Sequence, residues 1–225
     1  MEAEDDGLSY IEILKKHVLT NKVVWALAFA YIFVYVIRFG TEDWIIKYLV
    51  EFKHNSLELA SMKLSCLPLF GLFGTIFAGV ASDKIFKGQR LPINIIFLAG
   101  VVFCLTGLFL NNPAASPVIF KNLTLVDMLD FLLIGFTGFF TYGPQMLIGG
   151  VCAIESSSKK VASAVTGFTG TFGYVGAVLS GVGTGLVVDK MGWNGAIAFW
   201  GASAATCIII CSFLLINEKR RKAGC

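Results

Sequence analysis

The chain has 225 residues, of which 56% are apolar and only 15% are charged, and its mean hydropathy is +0.76. Water-soluble domains carry about 25% charged residues, so this composition excludes a soluble globular protein and indicates a chain that folds within a lipid bilayer. The net charge of +3 is small, and the basic residues form no single stripe, which excludes a nucleic-acid-binding surface.

The chain opens with a polar segment, residues 1–21, which begins with an acidic run and continues as a short amphipathic stretch at 10–19. It lacks the basic start and the short apolar core of a signal peptide, so we expect a polar lead-in. Residues 217–225 form a basic tail. Between them, in 22–216, six apolar runs of roughly 20 residues predict six transmembrane helices. These runs are 23–39, 64–82, 91–110, 131–154, 161–188 and 193–216.

The distribution of basic residues predicts which side of the membrane each loop faces. Six crossings place both termini on one side, and cytoplasmic segments are enriched in Lys and Arg. With both termini in the cytoplasm, the cytoplasmic segments hold most of the 18 Lys and Arg residues. The basic residues assigned to the outer loops are Lys47, Lys53, Lys63, Lys121 and Lys190. We therefore predict a multi-pass membrane protein with cytoplasmic termini.

The first predicted span contains one cation, Arg38. A charge in a span costs about 3 kcal/mol and usually faces a cavity or a partner. Tyr31, Tyr35, Arg38 and Glu42 share one helical face. In one interpretation this face lines a substrate pathway, and the planar guanidinium grips an anion such as phosphate. In the other, Arg38 snorkels to the outer interface and pairs with Glu42 or Asp43. The pattern favours neither.

The loop after the second span carries a spaced motif whose members are Gly79, Asp83, Lys84, Gly88 and Arg90. Asp83 stands at a helix end among several basic residues. It is a candidate for a charge pair that latches and releases neighbouring helices. The alternative is a basic loop that simply faces the cytoplasm.

A similar pattern, Gly185-x-x-x-Asp189-Lys190, closes the fifth span. Each pattern follows the second helix of a set of three, yet the two are predicted to face opposite sides of the membrane. This arrangement is typical of an inverted three-plus-three repeat.

The fourth span contains Tyr142-Gly143-Pro144-Gln145. Proline removes a backbone hydrogen bond, so the helix is expected to kink or break there. Transporters place such interruptions at binding sites near the midplane, which makes Tyr142 and Gln145 candidates to hydrogen-bond a ligand. The alternative is a kink that only shapes packing. The fifth span is rich in glycine, which predicts close helix packing.

The sequence carries no signature of an enzyme. It has no phosphate-binding loop, no dinucleotide fingerprint, and no cluster of His, Cys and carboxylates spaced for a metal. Its six cysteines stand mostly within apolar stretches, where cysteine acts as a small hydrophobe. We therefore expect no cofactor, no bound metal and no catalytic residues.

The loop motif resembles the signature of the major facilitator superfamily. Other stretches are similar to its organophosphate:phosphate antiporters, which include the hexose-phosphate and glycerol-3-phosphate transporters. These stretches are Tyr35-Val36-Ile37-Arg38-Phe39-Gly40, Tyr142-Gly143-Pro144-Gln145-Met146-Leu147-Ile148-Gly149, Gly192-Trp193-Asn194-Gly195 and Glu218-Lys219-Arg220-Arg221. The resemblance runs from about Asn21 to Lys222, nearly the whole chain.

The resemblance implies an all-α membrane fold of two six-helix halves with the substrate between them. The motifs here match helices seven to twelve, so the lead-in would be the end of the central cytoplasmic loop. The family binds phosphate with one arginine from each half, and Arg38 matches one of them. Tyr35 and Tyr142 match positions beside it. A bacterial inner membrane is the expected location.

The function that the resemblance implies is exchange of a small organic phosphate for inorganic phosphate by alternating access. Some hexose-phosphate carriers have charged residues in helix eleven, whereas 161–188 has none. The sugar stays open on this ground, and we favour hexose phosphate over glycerol phosphate. The other six-helix half is expected from the same gene, from a split chain or from a second copy.

Two other functions fit the same residues. The chain can be part of a membrane sensor that binds sugar phosphate on the same fold and signals to a partner. It can also be a structural half-unit that binds no ligand, with Arg38 at the membrane interface.

Overall fold

The computed structural model of the chain describes residues 12, 14–111, 118–120, 123–151 and 159–223. A π-helical turn, Leu14–Leu19, precedes the long helices. The elements that follow are α1 Lys22–Glu51, α2 Leu57–Lys84, α3 Arg90–Leu110, β1 Val118–Phe120, β2 Leu123–Thr124, α4 Leu125–Met146 with a π-helical continuation Leu147–Val151, and a helical segment Lys159–Ala223. The two strands pair antiparallel, with Val118 opposite Thr124.

The last helical segment is two helices joined without a loop. Its backbone is non-helical at Gly192, where φ is 70° and ψ is −171°, a conformation that glycine adopts readily because it has no Cβ. We name residues 159–191 α5 and residues 193–223 α6. By length and composition, α1, α2, α3 and α4 can each cross a membrane, and the segment that holds α5 and α6 provides a further 60 residues, Val161–Arg220. The described residues thus contain the six predicted helices.

The predicted lead-in and tail are described only in part. Residues 1–11, 13 and 224–225 lie outside the described residues, as do residues 152–158, where the predicted fourth span ends. Within the predicted tail, 217–223 continue α6 as helix.

Three helices extend beyond the predicted spans at the same end of the bundle. α1 continues to Glu51, α2 begins at Leu57 and α4 begins at Leu125. The predicted spans are shorter because most of them ended at a charged residue, whereas a helix starts at its N-cap and can include charged residues. Ser56 caps α2, and Thr124 caps α4 within a capping box. The added turns therefore contain charged residues that the prediction assigned to loops.

The helices pack in a pattern that agrees with an inverted repeat. α4 packs mainly on α2 and α3, whereas α1 packs on the segment that holds α5 and α6. An inverted repeat makes α1, α2 and α3 equivalent to α4, α5 and α6. The α2–α4 pair is then equivalent to the α5–α1 pair. A three-plus-three repeat relates its helices in this way.

Glycines allow two of these helix pairs to approach closely. A Cβ on Gly74 of α2 would overlap the carbonyl oxygen of Phe139, and one on Gly138 of α4 would overlap that of Leu67. A Cβ on Gly176 of α5 would overlap the carbonyl oxygen of Ile32 in α1. The glycine-rich fifth span thus packs closely, as predicted, through part of its length.

The bundle has two ends that differ in chemistry. We call the end where α1 begins, with loop 85–89, the motif end, and the end where α1 finishes and α4 begins the far end. α1 and α4 run antiparallel between these ends, because Lys53 after α1 meets Asp130 near the start of α4. Arg38 and Tyr142 lie between the two ends.

Candidate functional site

Arg38 of α1 and Tyr142 of α4 contact each other inside the bundle. Arg38 Cζ lies 4.8 Å from the centre of the Tyr142 ring, a distance at which a guanidinium and an aromatic face attract each other. α2 also holds the ring in place, since a Cβ on Gly71 would lie 2.8 Å from Tyr142 Cγ. Tyr142 is therefore positioned by α2 and presented to Arg38.

Glu42 accepts a hydrogen bond from Arg38 Nε, with 3.3 Å between Nε and Oε2. Side-chain exposure is 23% for Arg38 and 30% for Glu42, so this ion pair is partly buried. The sequence left two interpretations of Arg38 open. The pairing with Glu42 is expected if Arg38 snorkels to the outer interface. The contact with Tyr142 is expected if this helical face lines a substrate pathway. Arg38 Cζ also lies 5.2 Å from the centre of the Phe39 ring.

A cluster of tyrosines continues this helical face toward the motif end. The Tyr31 hydroxyl donates to the Tyr35 hydroxyl at 3.4 Å, and the ring centres of Tyr35 and Tyr174 on α5 are 6.1 Å apart. Tyr31 packs where glycine leaves room, since a Cβ on Gly149 would overlap its hydroxyl and one on Gly173 would lie 2.9 Å from its ring. The cluster joins α1, α5 and the continuation of α4.

Gln145 follows Tyr142 by three residues, and its Oε1 atom is buried without a hydrogen-bond partner among the described residues. A buried acceptor left without a donor costs about 1–3 kcal/mol, which makes it a candidate to accept from a ligand hydroxyl. A kink or a break was predicted at Pro144, and the helix does not break there but changes type just after it. α4 ends at Met146 and continues as the π-helical Leu147–Val151, and such π-helical turns often occur at functional sites.

The loop motif forms a compact structure at the motif end. Arg90 Nη1 lies 2.5 Å from Asp83 Oδ1, and Gly88 has a φ of 85° that favours glycine. Lys84 is the last residue of α2. A Cβ on Gly79 would lie 3.5 Å from Met146 Cε, an ordinary contact.

These motif residues do not join Arg38. Arg38 stands 16 residues after the start of α1 at Lys22, which is about 24 Å along a helix that rises 1.5 Å per residue. The structure therefore contains two separate groups of predicted residues. Arg38, Tyr35, Tyr142 and Gln145 lie in the middle of the bundle, and the motif lies at one end.

A third group of interacting residues lies at the far end and was not predicted from the sequence. Lys53, Lys63, Asp127 and Asp130 form a buried network of two cations and two anions. Lys63 Nζ lies 2.7 Å from Asp127 Oδ1 and 3.1 Å from Asp130 Oδ2. Lys53 Nζ lies 3.1 Å from Asp130 Oδ1. Lys53, Lys63 and Asp130 are almost wholly buried.

Two asparagines complete the hydrogen bonds of this network. Asn55 Oδ1 accepts from Lys63 Nζ at 2.7 Å. Asn111 Nδ2 donates to Asp130 Oδ1 at 2.8 Å, and the carbonyl of Asn111 accepts from Lys53. Burial lowers the pKa of Lys53, and the nearby Asp130 carboxylate opposes this change.

The prediction had assigned Lys53 and Lys63 to outer loops, and for Lys63 this was wrong. Lys63 lies within α2, and both lysines are turned into the protein rather than toward solvent. One signal in the sequence was available. Asp127 and Asp130 are three residues apart and begin an apolar helix, so they share a face. Their partners come from distant parts of the chain, which spacing does not reveal.

Residues 2–181 match the Major Facilitator Superfamily. Three relatives illustrate the similarity. A "Probable hexose phosphate transport protein" of Chlamydia pneumoniae is 39% identical over 203 residues, 90% of this chain and 42% of the relative. The "Membrane sensor protein UhpC" of Escherichia coli is 41% identical over 194 residues, 86% of this chain and 42% of the relative. The "Glycerol-3-phosphate transporter" of Bacillus subtilis is 37% identical over 215 residues, 95% of this chain and 45% of the relative.

The chain thus spans a little under half the length of these curated relatives. The match nevertheless extends over most of the six helices and includes the region of Arg38 and Tyr142. The helical fold, the loop motif and these similarities agree with one another. The chain belongs to the Major Facilitator Superfamily and, within it, to the organophosphate:phosphate antiporter family.

Proposed function

We propose that this chain forms one half of a carrier that moves a small organic phosphate across a membrane in exchange for inorganic phosphate. The observation that carries the proposal is the Arg38 guanidinium in the middle of a membrane bundle, 4.8 Å from the ring of Tyr142. A cation is costly in an apolar span, and a planar guanidinium is well suited to bind phosphate oxygens in pairs. The family to which the chain belongs supports the same ligand.

Each residue of the site has a distinct role in this proposal. Arg38 binds the phosphoryl group through charge-assisted hydrogen bonds. Tyr35 and Tyr142 donate hydroxyl hydrogen bonds to the same group. The buried Oε1 of Gln145 accepts from a hydroxyl of the organic part or from a protonated phosphate oxygen. The site therefore binds both ends of a sugar phosphate.

Glu42 acts as the counter-ion of Arg38 when no phosphate is bound. Its carboxylate accepts from Arg38 Nε in the structure, so an arriving phosphate competes with it for the guanidinium. This competition limits the affinity for phosphate. A carrier needs such a limit, because it must release its substrate on the other side. Substrate shifts the inward-open and outward-open states only by binding them with different affinity.

We expect Glu42→Gln to lower the KM for phosphate by about two- to five-fold, since a partly exposed ion pair contributes up to about 1 kcal/mol. The measurement is the concentration dependence of labelled phosphate uptake into vesicles. Glu51→Gln is the matched control, because Glu51 pairs with Lys47 on the exposed surface of the same helix. A KM that stays constant or rises in Glu42→Gln contradicts the counter-ion role.

A second six-helix unit is part of the proposal. A two-sided site between halves needs a second arginine, which comes from the same polypeptide, a split chain or a second copy. Exposed apolar side chains on α2 and α5, including Phe73, Ile76, Val178 and Val182, support burial against lipid or such a unit. Alternating access is then rocking of one half against the other. The basic-residue distribution supports cytoplasmic termini, in a bacterial inner membrane.

For the organic substrate we favour a hexose phosphate over glycerol phosphate. Gln145 adds a buried acceptor beyond the phosphate group, which suits a substrate with several hydroxyl groups. The residues of α5 within 161–188 carry no charge, which suits a neutral polyol but does not distinguish hexose phosphate from glycerol phosphate.

The test is counterflow in vesicles that contain the assembled transporter and are loaded with inorganic phosphate. We expect external glucose 6-phosphate to drive efflux of labelled phosphate, and glycerol 3-phosphate to do so less well. A second function deserves the same experiment, because the chain is 41% identical to a protein named as a membrane sensor. Saturable binding of sugar phosphate without counterflow contradicts exchange and supports the sensor.

A further inference from the structure

The buried network at the far end connects the helices that carry the proposed phosphate site. Lys53 lies two residues after the end of α1, and Asp130 lies in the second turn of α4. Their ion pair is 3.1 Å long and almost wholly buried. Arg38 lies on α1 and Tyr142 on α4, so this ion pair joins the two helices that face each other at the site.

Burial of this network is expensive, which indicates a role beyond stability. Folding transfers two cations and two anions from water into the protein interior, which costs free energy. A buried ion pair therefore often stabilises a protein less than apolar residues of the same size. What such a pair provides is a defined geometry, because a shifted helix would leave charges buried without partners. Those unpaired charges would destabilise the bundle by about 3–5 kcal/mol.

The network and the site lie at matching distances along α1 and α4. Arg38 precedes Lys53 by 15 residues, and Tyr142 follows Asp130 by 12. At 1.5 Å per residue these separations are about 22 Å and 18 Å, so both members of the site stand at a similar depth from the network. A slide of α1 by one residue would move Arg38 by about 1.5 Å across the Tyr142 ring.

α1 and α4 make few other contacts, so we expect the network to contribute much of the alignment of these two helices. α1 packs mainly on α5 and α6, and α4 packs mainly on α2 and α3. On the opposite side of the site, Tyr31 of α1 packs against Gly149, in the continuation of α4. The Arg38–Tyr142 contact thus lies between two connections, of which only the one at the far end is ionic.

We propose that the Lys53–Lys63–Asp127–Asp130 network is a positioning element that sets the register of α1 against α4 and thereby holds the Arg38 guanidinium over Tyr142. Lys53 and Asp130 make the link between the two helices. Lys63 and Asp127 hold Asp130 in place and join α2 to α4. The inference rests on the proposed function for its consequence in transport, but the register itself can be measured independently.

The test uses a charge-balanced double variant, Lys53→Met with Asp130→Asn. It removes the link between α1 and α4, keeps the Lys63–Asp127 ion pair and leaves no excess buried charge. The control is Lys47→Met with Glu51→Gln, which removes an exposed pair one turn away, with 3.8 Å between Nζ and Oε1. Both are made in the assembled transporter, and thermal unfolding is measured to confirm that each one folds.

Two measurements separate positioning from simple support of the fold. Spin labels at Asp43→Cys and Leu132→Cys, both exposed positions, report the distance between α1 and α4 after the native cysteines are replaced. We expect the distance distribution to shift by about 1.5 Å or more, or to broaden, in the double variant only. We also expect the KM for phosphate to rise on the order of ten-fold, because a misplacement of about 1 Å greatly weakens a positioned interaction.

An unchanged label distance in the double variant overturns the proposal, whatever happens to transport. A changed distance with an unchanged KM also overturns it, since the register would then not matter to the site. If the wild-type transporter exchanges no phosphate, the proposed function fails. A changed label distance would in that case still support the register role.

Discussion

Replacement of Arg38 by lysine is expected to reduce phosphate exchange by about 10- to 100-fold although the positive charge is kept. Lysine is a point charge, whereas the guanidinium donates in a fixed plane and binds two phosphate oxygens in parallel. A hydrogen bond to a charged group contributes about 1.5–3 kcal/mol, and each 1.4 kcal/mol corresponds to ten-fold in affinity. Loss of one such bond accounts for the expected range.

The same substitution weakens the support of the site by Tyr142. Arg38 Cζ lies 4.8 Å from the centre of that ring, and the flat face of a guanidinium stacks on an aromatic ring in a way that an ammonium group does not. Lysine also lacks the Nε–H group that donates to Glu42 at 3.3 Å in the wild-type protein, so the substitution changes this ion pair as well. We therefore expect a higher KM together with a lower turnover.

The measurement is initial exchange of labelled phosphate in vesicles, over a range of external phosphate concentrations. Arg220→Lys is the matched control, because Arg220 is an exposed residue of α6, far along the chain from the site. Exchange by Arg38→Lys at the level of this control would reject Arg38 as the phosphate-binding residue. It would leave the interfacial interpretation of that arginine.

Much of the fold could be predicted from the sequence, because the bilayer imposes a simple length requirement on apolar runs. The face of α1 that carries Tyr31, Tyr35, Arg38 and Glu42 is equally local, since it follows from helical periodicity. The Tyr31–Tyr35 and Arg38–Glu42 hydrogen bonds agree with it. An irregularity near Pro144 was also predictable, because proline lacks an amide proton. It is a change of helix type from Leu147 onward rather than a break.

Contacts between distant segments could not be predicted in the same way. Lys63 and Asp127 are 64 residues apart in sequence, and nothing in their local surroundings indicates that they pair. The apolar-run criterion even hides them, since it ended most predicted spans at a charged residue and left Lys63 and Asp127 outside. The contact of Tyr142 with Gly71 is invisible for a similar reason. A glycine in a helix permits a close approach, but the sequence shows neither whether one occurs nor what approaches.

Replacement of Gly176 by alanine is expected to destabilise the bundle by about 1–3 kcal/mol, the usual cost of added volume at a close-packed contact. The Cβ would overlap the carbonyl oxygen of Ile32 and would lie 2.9 Å from Tyr35 Cβ. The obstacle is the α1 backbone rather than the end of a flexible side chain. α1 and α5 must therefore separate, and this also moves the face of α1 that carries Tyr35 and Arg38.

Gly181→Ala in the same helix is the matched control, because nothing lies within 4 Å of its new Cβ apart from its chain neighbours and the nearby backbone of its own helix. Alanine is the better helix former by about 1 kcal/mol, so the control is expected to be neutral or slightly stabilised. Gly176→Ala gains the same helix propensity, but the overlap with α1 is expected to cost more, so the variant is less stable than the wild type. For a chain of this size, 1 kcal/mol lowers the unfolding temperature by about 2–4 °C, which thermal unfolding in detergent can resolve. Equal stability of the two variants would show that α1 and α5 do not approach as closely as Ile32 and Gly176 indicate.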